Sequence, residues 1–380
     1  MKTSALLAIA FTAIAALAPA AEVTKADIEA ALKKGIAFYE ANQAESGAWG
    51  DESNPAITGI SVTAILQAPG NPRPASVDKA IKFILSNVNK EDGGIYGKGL
   101  ATYNTALCLT ALSLAGDEEL LPVIANARRM LIGQQQDYDT KGETDNVLDG
   151  GIGYGGSYTH SDLSNTHFAI EALYHAKKAL ADSKYADGKE VDLDWDAAID
   201  FVSRCQNSEA TVKDLGESVG LRDEDRGGFV YFPGNTKSDE IELEGKKKAL
   251  RSYGSMSYAG LLSFIYADMD KDDARIKAVK DWLGRHYTLE ENPGMEGQGL
   301  FYYFHTMGKA LSVLGEDELV LADGKKIDWK QELAAKLIAL QNEDGSWTNK
   351  LSNRWRENDP HLVTGYAMIS LEHILRAMGE

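Results

Sequence analysis

The chain has 380 residues, with 39 Lys and Arg against 57 Asp and Glu, a formal net charge of −18. Its 44% hydrophobic and 25% charged residues exclude wholesale disorder, and the acidic balance speaks against a nucleic-acid binder, which needs a basic face to displace counterions from phosphates. Two cysteines, Cys108 and Cys205, cannot supply a disulfide scaffold, and a chain that buries about three-quarters of its unfolded surface does not need one.

The first element is an address. Lys2 precedes an apolar run over 5–17 and then Ala18-Pro19-Ala20. A basic start, a short apolar stretch and an Ala-x-Ala ending predict a signal peptide over 1–20, cleaved after Ala20 or Ala21, and a single domain over 21–380. The run is short for a bilayer span, and no cysteine follows it to take a lipid. The expected product is exported, periplasmic or extracellular, with no stable membrane span.

From there the chain repeats itself. Gln43-Ala-Glu-Ser-Gly47-Ala-Trp49 and Gln341-Asn-Glu-Asp-Gly345-Ser-Trp347 share the pattern Q-x-x-x-G-x-W. Asn89-Lys-Glu-Asp-Gly93-Gly94-Ile-Tyr96 is a variant; Gly150-Gly151-Ile-Gly-Tyr154 and Gly227-Gly228-Phe229-Val-Tyr231 are weaker copies. Such internal periodicity signals a repeat architecture. Stretches over 27–41, 76–86, 118–131, 193–202, 272–285 and 328–340 each show an apolar stripe and a charged face, the mark of a helix with one wet side. Between them lie six apolar helices, beginning near Thr58, Thr105, Thr166, Met256, Thr306 and Thr364. These are apolar nearly all round and rich in Ala, Gly and Ser, which predicts burial between two layers. Thr at five of the six starts offers a hydroxyl to free helix N–H groups. Six outer–inner pairs predict an all-α, closed (α/α)6 toroid. The charged stretches over 181–191 and 207–226 are expected to be surface loops.

With its Q-x-x-x-G-x-W turns and paired helices, the mature chain resembles the terpenoid-cyclase and protein-prenyltransferase superfamily. Squalene-type cyclases carry D-x-D-D-T at an inner-helix start, where the central Asp donates the initiating proton. The positional match here is Asp162-Leu163-Ser164-Asn165-Thr166, which puts Ser164 at the donor's place. Asp270-Lys-Asp272-Asp273 has similar letters but reads as a solvated turn opening an outer helix. The zinc of the protein prenyltransferases has no matching cysteine: Cys108 falls inside an inner helix and Cys205 ends an outer one. No Cys-Gly-Glu-Gln thioester stretch, G-x-S-x-G elbow or phosphate loop occurs. No motif calls for a cofactor or metal.

A closed ring starts all six inner helices at one end, where dipoles and free N–H groups would favour an anionic head group. The expected catalytic groups there are Asp162, His167, His305 and Tyr253. The expected ligand-binding groups are Tyr103, Asn104, Asn165, Arg251, Tyr302, Tyr303, Trp355, Arg356, Glu357 and His361. Within the aromatic run Phe301-Tyr-Tyr-Phe304, helical spacing sends the rings in different directions. Three readings stand. One is a cyclase-like toroid that binds, and in a further step transforms, an isoprenoid or other long apolar or amphiphilic ligand. The second is a glycan hydrolase or lyase with Asp162 and Glu357 as acids. The third is a non-catalytic binding module.

Overall fold

The computed structural model describes residues 22–156, 160–186 and 192–379. The expected signal peptide over 1–20 lies outside the described residues. The thirteen α-helices among them are α1 (Lys25–Ala41), α2 (Pro55–Gln67), α3 (Ala75–Ser86), α4 (Ala101–Ala115), α5 (Leu121–Ile132), α6 (Leu163–Leu180) and α7 (Trp195–Arg204), followed by α8 (Glu209–Leu215), α9 (Gly254–Tyr266), α10 (Ala274–Arg285), α11 (Leu300–Leu314), α12 (Trp329–Leu340) and α13 (Pro360–Ala377). None is long and apolar enough to cross a membrane.

The apolar helices pack in a cycle. α2 meets α4, α4 meets α6, α6 meets α9, α9 meets α11, α11 meets α13, and α13 returns to α2. Small residues set the spacing. A Cβ on Gly59 of α2 would come within 3.0 Å of the Leu107 and Cys108 backbone on α4, and one on Gly308 of α11 within 2.4 Å of Ser370 on α13. The striped helices lie outside this cycle: α3 on α2, α5 on α4 and α6, α7 and α10 on α9, α12 on α11 and α13, and α1 on α13. Side-chain oxygens start several of them, Thr24 in a capping box and Asp194, Asp273 and Asp328 as single caps.

The recurring turns hold this outer layer. Gln43 donates its side-chain amide to Gly47 O at 3.0 Å and to Ser76 O at the start of α3 at 2.7 Å. Gln135 bridges Gly150 O and Asp194 O, Gln206 bridges Gly227 O and Arg275 O, and Gln341 bridges Gly345 O and Ala31 O. Each of these four turns is thereby tied to the following outer helix, and the last is tied to the first. The turn glycine backs directly onto that helix. Gly150 has φ 82° and Gly345 φ 90°, and a Cβ would lie 1.9 Å from Ala197 O and 2.3 Å from Lys34 O. Only glycine suits that combination.

The inner-helix hydroxyls bind a different partner from the one their position suggests. Thr58, Thr105, Thr166, Ser257 and Thr364 accept the N–H of Trp49, Ile95, Ile152, Phe229 and Trp347 in the preceding turn, at 2.9–3.0 Å. They fasten turn to inner helix. The pair α10–α11 lacks this arrangement: Thr306 instead donates to Tyr302 O and Tyr303 O.

One expected loop is partly ordered. Within 207–226 lie α8 and β1 (Val219–Gly220); β1 pairs in parallel with β3 (Lys248–Leu250), which also pairs antiparallel with β2 (Glu240–Glu242). A second small sheet joins β4 (Leu319–Val320) to β5 (Lys326–Ile327).

The glycine contact makes a stability prediction. Gly345→Ala adds left-handed backbone strain and a steric conflict with α1, about 2–5 kcal/mol together. Gly70 has φ 80° with nothing within 4 Å of a built Cβ, so Gly70→Ala should cost only about 1–2 kcal/mol. Urea denaturation of both variants measures this; equal losses would contradict the packing role of the turn glycine.

Candidate functional site

All six inner helices begin at one end, and their first N–H groups are already engaged. Asn104 Oδ1 accepts Ala56 N–H and Asn292 Oδ1 accepts Ser255 N–H, both at 2.9 Å. Asp162 Oδ1 accepts Asn165 N–H, Glu357 Oε1 accepts Tyr302 N–H and Asp359 Oδ1 accepts His361 N–H, at 2.8–3.0 Å. On α4, Thr102 N–H donates to Tyr154 O. The expected anion site made of free helix starts is therefore corrected. Three of the capping groups are carboxyl side chains, whose oxygens already take helix-start N–H groups.

Inside this end is a cavity of about 250 Å³. Six tyrosines line it, Tyr103, Tyr154, Tyr231, Tyr253, Tyr302 and Tyr366, together with Phe168, Met256, Ile57, Leu100, Leu362, Ser164 and Trp355. Its floor is aromatic. Tyr103 meets Phe168 edge-on at 5.4 Å, Phe168 and Tyr302 lie 5.8 Å apart, and Tyr302 and Tyr366 5.7 Å apart. The Tyr103 and Tyr366 hydroxyls are 3.4 Å apart. The Tyr302 hydroxyl is buried beside Ser164 and makes no hydrogen bond of standard length among the described residues. It offers the cavity a polar handle.

The rim is built from the loop before α13. Trp355 and Arg356 have φ 55° and 64°, left-handed conformations that need outside support. Arg354 stacks on the Trp355 ring at 4.3 Å and donates to Gln298. Arg356 Nη1 bonds Asp51 at 2.9 Å, which ties this loop to the first turn. Trp355 remains 43% exposed and Leu100 39%, so the lip of the cavity carries apolar surface beside the exposed Arg356.

Two carboxyl groups are strongly perturbed. Burial pushes Glu357 up to about 7 against hydrogen bonds from the Tyr302 N–H and Asn349. Burial likewise pushes Asp162 up to about 6, opposed by its bonds from Asn165. Burial also raises the tyrosines, Tyr103 to about 12, so they are neutral hydroxyls at ordinary pH.

Of the residues expected at the site, Tyr103, Tyr253, Tyr302, Trp355, Arg356 and Glu357 line the one cavity. Asp162, Asn165 and Asn104 stand at its edge as helix-cap groups, with Asp162 bonded to Asn165 and Asn104 to α2. The others do not face it. Tyr303 points outward from the ring, donates to Thr288 O and packs on Tyr258, because successive residues of α11 diverge by a helical step. Arg251 is exposed and pairs with Asp239. His361 packs on Phe38 and Tyr39 beside Asp359. His305 lies one helical turn below the floor, in a second cavity, and His167 is fully buried beside Phe168. Burial holds both imidazoles neutral, His167 down to about 3.

Tyr154, Tyr231, Phe168 and Tyr366 were not anticipated, although the repeats contain their signal. Tyr154 and Tyr231 each lie four residues after a turn glycine, the position of Asp51 and Asn349 in the stronger copies. Phe168 and Tyr366 each lie two residues after an inner-helix Thr. Cys108 and Cys205 are free, buried thiols that burial keeps protonated. Among the described residues no group of three His, Cys, Asp or Glu side chains is placed to hold a metal ion.

No family model and no curated protein matches the sequence. Solved structures do match. A variant of the type II terpene cyclase MstE from Scytonema, in complex with geranylgeranyl dihydroxybenzoate, has a TM-score of 0.52 at 11% identity over 93% of this chain and 97% of that one. A D-mannose isomerase has a TM-score of 0.56 at 12% identity, covering 93% and 98%. A beta-1,3-1,4-glucanase from Paenibacillus sp. X4 has 0.53 at 12%, covering 92% and 93%. The chain shares the helical fold of these proteins. At such identities the likeness establishes fold and no activity.

The buried carboxyl of Glu357 makes a pH prediction. Its folded-state value is raised, so the folded chain retains a proton that the unfolded chain releases. The stability it contributes relative to Glu357→Gln is complete below about 4.5 and falls as pH rises through about 7. Urea midpoints of both proteins across that window measure it; a difference constant with pH would contradict the assignment.

Proposed function

We propose that the protein is an exported, six-hairpin (α/α)6 toroid of cyclase-like type that takes an isoprenoid or other apolar or amphiphilic ligand into the tyrosine-lined cavity. The observation that carries this reading is the lining itself: it is mainly aromatic and aliphatic, with apolar surface at Leu100 and Trp355, and its charged members are engaged, Arg356 by Asp51 and Glu357 by the Tyr302 N–H and Asn349. An apolar chain gains from leaving water there, while the Tyr302 hydroxyl meets a polar atom of the ligand. An aromatic lining also favours a cationic or polarised carbon, which the negative face of a ring attracts.

Ser164 lines the cavity at the place where squalene-type cyclases have the proton donor, and a hydroxyl is too weak an acid to protonate an alkene. The reading is therefore binding without proton-initiated cyclisation at that position. A second reading, glycan hydrolysis, is favoured by the raised carboxyls of Asp162 and Glu357. Both carboxyls already accept bonds on both oxygens, as caps of α6 and α11 and from the Asn165 and Asn349 amides.

Two measurements test this. Extraction of the purified protein with organic solvent is expected to release an isoprenoid-type lipid, and added geranylgeraniol should bind and quench tryptophan emission. Trp355→Ala and Tyr366→Ala should each weaken that binding by about tenfold, the loss of roughly 1.5 kcal/mol of aromatic contact. An empty extract with no geranylgeraniol binding would overturn the reading. Turnover of a glycan polymer, lost in Glu357→Gln, would establish the second.

A further inference from the structure

Behind the aromatic floor lies a second cavity of about 150 Å³, toward the C-terminal ends of the inner helices. Phe168 lines both cavities and divides them. The lining of the rear chamber contrasts with that of the front. Lys309 is 3% exposed and forms a buried ion pair with Glu171 across the ring, from α11 to α6. His175, His305 and His373 approach from three sides, and Thr63 adds a hydroxyl.

These groups divide into two classes. The charged ones are spoken for: Lys309 by Glu171, and Arg376 at the outer lip by Gln67. The imidazoles are neutral, because burial lowers all of them and outweighs the pull of Glu171. His305 is 2% exposed, and its Nδ1 makes no hydrogen bond among the described residues. An unpaired buried polar atom costs about 1–3 kcal/mol unless something fills its bond. The helix C-termini add carbonyl acceptors and a negative dipole end, which disfavours an anion. What remains on offer is a set of neutral groups that both donate and accept, against one aromatic wall.

We propose that this rear chamber is a second ligand site, built for a neutral polyhydroxylated molecule no larger than a monosaccharide. His305, His373 and Thr63 exchange hydrogen bonds with its hydroxyls, and its C–H face rests on Phe168. The volume suits one such molecule or the cluster of waters that it displaces. The site is separate from the front cavity and does not depend on what that cavity binds.

The test uses the full mature chain with glycerol, xylitol, D-glucose and D-mannose as probes, by isothermal titration and by imidazole NMR. At least one probe is expected to bind saturably and to shift the His305 and His373 signals. His305→Phe should weaken it by about tenfold, one hydrogen bond's worth. Should circular dichroism show that variant unfolded, Thr63→Val, which keeps shape and removes only the hydroxyl, gives the same reading. Three results would overturn the proposal: no saturation by any probe up to about 0.1 M, enough to fill a site with a Kd of about 10 mM; wild-type binding in the folded variants; or tighter binding of acetate than of any polyol.

Discussion

The structure depends on one repeated contact, a glycine turn pressed against the next outer helix and held there by a glutamine amide. The turn must approach backbone to backbone, as Gly345 does on Lys34, and any side chain would force the two apart. The glutamine converts proximity into direction by bonding its own turn and its neighbour together. The link runs to the following outer helix at Gln43, Gln135, Gln206 and Gln341, and at Gln341 it returns to α1. Buried amide–carbonyl bonds are modest singly, about 1 kcal/mol each, but here they specify the order of packing.

That closure positions the site. Each inner helix starts beside its neighbour, so caps come from neighbouring segments: Asn104 for α2, Asn292 for α9, Glu357 for α11. Acidic and amide groups that look catalytic in the sequence are spent on backbone N–H groups. The space they surround is left to tyrosines. The rear chamber arises from the same geometry, since Phe168 and its neighbours are wide enough to close the ring's middle and leave a void on either side.

Much of this was legible in the sequence. The Q-x-x-x-G-x-W turns and the contrast between striped and uniformly apolar helices located the outer helices within three residues, because both signals report burial directly. The inner helices begin two to six residues before the expected Thr and Met positions, at Pro55, Ala101, Leu163, Gly254, Leu300 and Pro360. Charge and hydroxyl partners were less legible. Asp162 and Glu357 stand near the cavity as expected, but local spacing does not reveal that a cap is their present bond. His305 was placed at the opening because it lies near a helix start, yet one helical turn carried it through the floor. The order in α8 and β1–β3 was hidden because their strands are two or three residues long and polar, too short to show alternation.

The central claim is closure of the ring between its last and first helices. Spin labels at exposed Lys33 on α1 and Ala335 on α12 measure it directly through their dipolar distance distribution. The account predicts a single narrow population at the short distance of neighbouring helices, whose axes lie about 10 Å apart. A broad distribution reaching the full width of the domain, roughly 50 Å, would mean an open superhelix and would contradict it.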